Sequence, residues 1–272
     1  KDMWSFEMVA AMLAVGAAAG IIAGVFGVGG GTVLVPLVLW ILQMQRAENF
    51  QYAQHIAIGT SFAVMVFTSF ASARAQYKRQ AVDMDVLRAM VPGVLCGVAA
   101  GALVAQYLPN KGLQIFFTLF IAILAVRALL GIKPTPERQL PGRGGLFGMG
   151  GLFGLLSSWI GIGGGSLTVP YLTFCNVPVH RAVGTSAALG WPIAVAGTLG
   201  YAWAGWNQAG LPEGSAGFVY LPAVGILAAA TLLSAPLGVR LSHKLPADKL
   251  KKGFGILLLL IALRMAWKIL QS

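Results

Sequence analysis

Two stretches decide the architecture: GVGGGTVLVP at residues 27–36 and GIGGGSLTVP at residues 161–170. They are copies of one motif at an offset of 134. Each is followed by a second motif, AIGTS at 57–61 and AVGTS at 182–186, at an offset of 125, with His55 opposite His180. Further on, Gly101 and Gly238, Pro109 and Pro246, and Arg127 and Arg264 pair at an offset of 137. Matches that keep their order along 272 residues mark a tandem duplication. Its halves are read as 1–132 and 146–272, joined by the polar linker KPTPERQLPGRGG at 133–145.

The medium around these halves follows from composition. Hydrophobic residues make up 57% and charged residues 10%, with a mean hydropathy of +0.79. A soluble domain carries roughly 25% charged residues, and so few charges cannot cover a water-facing surface. A soluble enzyme, a nucleic-acid binder and a secreted disulfide scaffold are therefore disfavoured. The net charge of +11 is better placed at one face of a membrane than on nucleic acid. Cys96 and Cys175 lie in apolar runs and read as small buried residues rather than a disulfide or metal site. Lys1-Asp2 before an apolar run offers no processing site, so no cleavable signal is expected. The 36 glycines, about twice the usual share, matter through their placement.

Long apolar runs without alternation argue for helices rather than the strands of an outer-membrane barrel. Full spans are read at 55–74, 89–108, 113–132, 182–204, 217–239 and 253–270. Trp4 to Phe26 and Leu146 to Ile160 run instead into the glycine clusters, and short apolar runs follow to about Gln43 and Cys175. Segments of about 10–15 residues rise only about 15–22 Å, short of the ~30 Å hydrocarbon core. They are expected to be half-helices or re-entrant pairs. The fold expected is an all-α integral membrane protein of about ten segments, arranged as two inverted five-segment repeats with interrupted helices. With five segments per half, loops 74–88, 133–143, 176–181 and 240–252 share one side and hold 13 of the 19 basic residues. The positive-inside rule makes that side cytoplasmic and puts both termini outside. Trp4, Trp40, Trp203, Trp206 and Trp267 then fall near the outer face, as an aromatic belt does.

Interrupted helices at matching positions of inverted repeats mark a secondary transporter and its binding site. Gly29, Gly30 and Gly31, and their copies Gly163, Gly164 and Gly165, can leave helical geometry and turn backbone N–H groups towards a cavity. Thr32 and Ser166 stand where a helix N-cap belongs, and a helix N-terminus favours anions. The competing reading, close helix packing, would favour spaced small residues over GGG followed by a hydroxyl. Gly59, Thr60 and Ser61, with Gly184, Thr185 and Ser186, add duplicated hydroxyls that are expected to line the same cavity. Against that stands the habit of Ser and Thr in helices of bonding their own backbone. His55, His180 and Trp191 are candidates for a gate or proton sensor, weighed against interfacial anchoring for the histidines and packing for the tryptophan. Trp159 reads as packing, and Arg127 and Arg264 as snorkelling near helix ends. The eight acidic residues all map to loops or termini, so neither a cation route nor a carboxylate proton relay is expected. No intramembrane Ser/His/acid set, HExxH or Cys-rich pattern points to an enzyme, a metal or a cofactor.

The duplicated GVGGGTVLVP and GIGGGSLTVP, each followed by AxGTS, resemble the TauE/SafE sulfite exporter family (the toluene sulfonate uptake type), and the resemblance covers nearly the whole chain. It implies an inner-membrane carrier of small sulfur-containing anions such as sulfite, sulfoacetate or other organosulfonates. It also implies binding loops at 29–32 and 163–166, with 59–61 and 184–186 beside them. The longer linker 43–54 of the first half departs from strict symmetry. Export is the favoured direction, because about −100 mV inside drives one negative charge outward by about 2.3 kcal/mol. Uptake of a sulfonate, thiosulfate or carboxylate is the alternative within transport, and a non-transporting membrane scaffold the alternative outside it. The partners expected are a small anion and the bilayer, without nucleic acid, and a homo-oligomer is left open.

Overall fold

A long apolar run satisfies its backbone polar groups inside a bilayer only as a helix, and the computed structural model is helical nearly throughout. It describes residues 6–26, 31–44, 51–131, 138–242 and 247–271. Among the described residues the helices are α1 (Phe6–Phe26), α2 (Gly31–Met44), α3 (Ala53–Lys78), α4 (Met84–Ala105), α5 (Asn110–Leu129), α6 (Arg143–Ile160), α7 (Gly165–Phe174), α8 (Val179–Ala204), α9 (Leu221–Ser242) and α10 (Ala247–Gln271). A short antiparallel hairpin, β1 (Ser215–Ala216) and β2 (Val219–Tyr220), leads into α9.

Among the described residues, six helices are long and apolar enough to cross a membrane: Ala53–Lys78, Met84–Ala105, Asn110–Leu129, Val179–Ala204, Leu221–Gly238 and Lys252–Gln271. They coincide with the six spans read from the sequence to within a few residues. The difference lies at 217–220, which belongs to the hairpin: Gly217 turns the chain at a φ of 57°, and a Cβ there would collide with the Ala202 carbonyl. α2 and α7 have 14 and 10 residues, a rise of about 21 and 15 Å, and are the short pieces expected after the glycines. The segments before the glycines are longer than half-helices, at 21 residues for α1 and 18 for α6.

Helix boundaries recur at the offsets of the sequence motifs. α2 and α7 begin 134 residues apart, and α4 and α9, like α5 and α10, begin 137 apart. Packing partners exchange in the same way: α1 lies on α9 and α4 on α6, while α3 meets α8 and α5 meets α10.

Small residues set these contacts, because helix association in lipid rests on close van der Waals approach rather than a hydrophobic drive. Gly93, Gly97 and Gly101 of α4 face Phe147, Gly151 and Ser158 of α6 so closely that a Cβ on Gly97 would collide with the Gly151 carbonyl. Residue numbers rise together along this seam, so α4 and α6 run parallel. α1 and α9 do the same, with Gly16 against Leu227 and Ala230, and Gly20 against Thr231 and Ser234. On α3 and α8 the order reverses: Phe62 meets Gly197, and Ser69 meets Gly190. These two motif-bearing helices are therefore antiparallel. Their buried side chains, including Phe62, Met65, Leu189, Ile193 and Tyr201, form the centre of the protein. Leu119, Ile123, Leu233, Leu260 and Leu270 face outward, as a lipid-contacting surface requires.

Candidate functional site

The AxGTS motifs come first, because they fix the centre. Gly59 lies against the Phe218 carbonyl, and Thr60 Oγ1 accepts the Tyr220 N–H at 3.0 Å. In the other half Gly184 lies against the Ala81 carbonyl, and Thr185 Oγ1 accepts the Asp83 N–H at 2.8 Å. Ala81 and Phe218 are themselves 137 residues apart, as are Asp83 and Tyr220. Each Gly-Thr pair thus grips the backbone that introduces a long helix of the opposite half: α9 for Thr60 and α4 for Thr185. Their duplication in apolar spans predicts threonines that line a cavity. The geometry gives their hydroxyls backbone partners instead.

Asp83 strengthens one clasp. It caps α4 by accepting the Val86 N–H at 3.3 Å, and it pairs with Arg181 at 3.4 Å. That ion pair is partly exposed, so it contributes little. Asp83→Ala should lower stability by about 1 kcal/mol, almost all from the lost cap. Chemical denaturation in detergent reads this, and a loss no larger than that of Arg181→Ala would count against the cap.

The serines of the same motifs point elsewhere. Ser61 Oγ donates to the Gly161 carbonyl at 3.3 Å. Ser186 Oγ is buried without a hydrogen-bond partner, 4.0 Å from where a Cβ of Gly165 would lie. Gly161 ends α6 in the left-handed region at a φ of 72°, its N–H bonded to the Ser157 carbonyl at 2.8 Å. This turn brings 161–165 across the first half. Gly31 packs on the Gly161 carbonyl and on Ile162, and Gly161 in turn packs on Val35 and Ile58. The two glycine clusters therefore meet. Gly29 and Gly30 lie outside the described residues, and Gly31 opens α2.

Helix starts refine the expected caps. α7 begins at Gly165 with Gly164 as its N-cap, so Ser166 lies one residue inside the helix, as Thr32 does in α2. Because glycine caps without a side chain, α7 has no side-chain cap; the Leu167 and Thr168 N–H groups bond the Gly164 carbonyl, and the hydroxyls remain uncommitted. Thr32 Oγ1, Ser166 Oγ and Ser186 Oγ are all buried with no hydrogen-bond partner. A buried hydroxyl is normally bonded. These three unpaired hydroxyls stand at or beside the starts of two helices that open on glycine.

Among the described residues no carboxylate lies deeper than the first turn of a helix. Glu7, Asp85 and Asp248 lie in the opening turns of α1, α4 and α10 rather than in the loops or termini that the sequence predicts; Asp83 is a cap, and Glu213 lies in a loop. Among the described residues no cluster of His, Cys, Asp or Glu could hold a metal ion.

The remaining candidates sit away from this centre. His55 is buried, contrary to an interfacial anchor; its Nε2 donates to the Ala105 carbonyl at 2.8 Å, and its Nδ1 has no partner. His180, in contrast, is exposed. Trp191 is half-exposed against Phe70 and lines a cavity of about 260 Å³ together with Arg74 and Tyr77. A second cavity, about 210 Å³, is bounded by Gln106, Trp203 and Gln208. Neither cavity is lined by the glycine clusters. Trp159 donates to the Gly101 carbonyl at 3.0 Å and packs on Phe116, a structural role. Cys175 is buried, but Cys96 is exposed on α4, because it faces away from the α6 seam.

The family model of the sulfite exporter TauE/SafE matches residues 12–265. The chain belongs to the TauE/SafE sulfite exporter family. A probable membrane transporter protein of Haemophilus influenzae is 33% identical over 265 residues, covering 97% of this chain and 100% of its own. Another, of Methanocaldococcus jannaschii, is 24% identical over 246 residues, 88% of each chain. No solved structure matches. With its six apolar helices, this TauE/SafE protein is a multi-pass membrane transporter.

Three residues of this TauE/SafE chain that organise its centre escaped the sequence reading. Gly161 is the first glycine of its cluster, and its position before a break was the available signal. Tyr201 is wholly buried and donates to the Ser158 carbonyl at 2.8 Å, tying α8 to the end of α6. Met65 lies between the glycine clusters, at a position where the two halves differ.

Proposed function

We propose that the protein carries a small sulfur-containing anion, such as sulfite, sulfoacetate or another organosulfonate, across the inner membrane by alternating access. The observation that carries this reading is the meeting of Gly31 with Gly161 and Ile162 beside the unpaired hydroxyls of Thr32, Ser166 and Ser186. Hydroxyls and open N–H groups at helix starts stabilise an anion. Of the remaining sequence candidates, Gly163, Gly164 and Gly165 supply backbone to the same cradle, and Gly29 and Gly30 lie outside the described residues.

The halves 1–132 and 146–272 act as inverted repeats of five segments around this site, with linker 133–145 cytoplasmic and both termini outside. The antiparallel course of α3 and α8, which carry the same motif, supports the inversion. Export is the favoured direction, because an anion leaves a negatively charged cell downhill and no carboxylate among the described residues lies deeper than the first turn of a helix.

Proteoliposomes loaded with sulfite test the reading. An outward-driving potential of about 100 mV should accelerate efflux of a monovalent anion, by up to the roughly fifty-fold that about 2.3 kcal/mol represents. Efflux that ignores the potential, or uptake driven by a proton gradient, would instead support the sulfonate-uptake alternative. A protein neither stabilised by nor permeable to sulfite, thiosulfate and sulfoacetate would support a scaffold.

A further inference from the structure

The place between the two glycine clusters is occupied. Met65, fully buried on α3, puts its Sδ 2.9 Å from where a Cβ of Gly31 would stand. Its Cε is 2.9 Å from the same point on Gly163. Ser61 Oγ, one turn earlier, lies 3.8 Å from the sulfur. One thioether therefore touches both clusters at once. The AxGTS offset of 125 makes Gly190 the counterpart of Met65 on α8, and a Cβ there would meet only Ser69, at an ordinary 3.5 Å. A side chain thus reaches the centre at this motif position from the first half, and the second half has only glycine there.

We propose that Met65 is a movable stopper in the anion site and sets the largest cargo it admits. This rests on the proposed anion site and adds what governs its occupancy. The Met side chain beyond Cα has four heavy atoms, as sulfite does, so filling by one excludes the other. Methionine has the right shape for a stopper, being unbranched, with rotatable bonds that let it withdraw without moving the helix. A thioether is also a weak acceptor, so the single contact it takes from the Ser61 hydroxyl, at 3.8 Å, holds it loosely. The asymmetry between the halves leaves Met65 as the one side chain that touches both Gly31 and Gly163 among the contacts around these glycines.

The test uses the full chain in proteoliposomes. Met65→Ala should raise flux of propanesulfonate relative to sulfite by about tenfold or more, because it enlarges the cradle by more than one methylene. Met65→Leu, bulky but branched, should reduce flux of every anion by about tenfold while inserting normally. If the wild type carries sulfite and neither variant changes selectivity or rate, Met65 is not a stopper. Met65→Cys in a Cys96→Ser, Cys175→Ala background gives a readout independent of cargo. A small water-soluble thiosulfonate should label it, and sulfite should slow that labelling. Labelling without sulfite flux in the wild type would keep the stopper and reject the cargo reading. No labelling from either side of the membrane would overturn the stopper, whatever the flux.

Discussion

Removing the three unpaired hydroxyls, with Thr32→Val, Ser166→Ala and Ser186→Ala, is expected to leave the protein as stable as the wild type or more so, while sulfite flux falls by orders of magnitude. The two effects have one cause. A buried hydroxyl without a partner carries a desolvation penalty of about 1–3 kcal/mol. Valine and alanine remove that penalty and fill or nearly fill the same volume. The anion, in contrast, loses a donor at each position. A hydrogen bond to a charged group contributes about 1.5–3 kcal/mol, so each replacement should weaken binding by roughly ten- to a hundred-fold. Losses at three donors around one ligand will not add exactly, but the triple variant should bind at least about a thousand-fold more weakly. Sulfite-dependent thermal stabilisation and proteoliposome flux measure the loss, and the melting temperature without sulfite measures the gain. A triple variant that transports normally would place the cargo elsewhere. A fall in melting temperature would show that the hydroxyls serve the fold.

The opposite signature is expected one residue before the clasping threonines. Gly59→Val and Gly184→Val would each drive a side chain into a carbonyl oxygen, of Phe218 and Ala81 respectively. Neither carbonyl belongs to a flexible side chain that could move aside, so the clasp must open. Overpacking of this kind costs about 1–3 kcal/mol and occasionally more. The hydrogen bonds to Thr60 and Thr185 would break with it. Each variant should therefore lose stability and yield, with any surviving protein keeping its affinity for sulfite. The paired result decides the point: Gly184→Val with normal stability and no sulfite binding would move Gly184 into the cargo site.

These contrasting outcomes show what a sequence can and cannot carry for such a protein. Helix limits were legible because the bilayer imposes them: a run of apolar residues must bond its own backbone, so α3, α4, α5 and α8 lie where hydropathy put them. The internal offsets carried further, to the starts of α2 and α7 and of α4 and α9. Within AxGTS, legibility stopped at the single residue. Thr60 and Ser61 are neighbours with the same chemistry, yet one accepts a backbone N–H 160 residues away and the other faces Gly161. That division depends on which helix face meets which loop, and two hydroxyls in a row carry no mark of it. Met65 was hidden for another reason. A comparison of the halves rewards identity, and Met65 matters where they differ.

The Thr60 clasp also sets a timetable. Its partner, the N–H of Tyr220, lies 160 residues further along the chain, whereas Thr185 reaches back only 102 residues to Asp83. At about 5–20 residues per second, the ribosome needs roughly 8–30 s to travel from one to the other. Throughout that interval α3 stands in the membrane with its glycine face open. The second clasp can close as soon as residue 185 is inserted, before the first has met its partner. Assembly thus runs backwards: the later half locks onto the earlier one, and the earlier half is completed last.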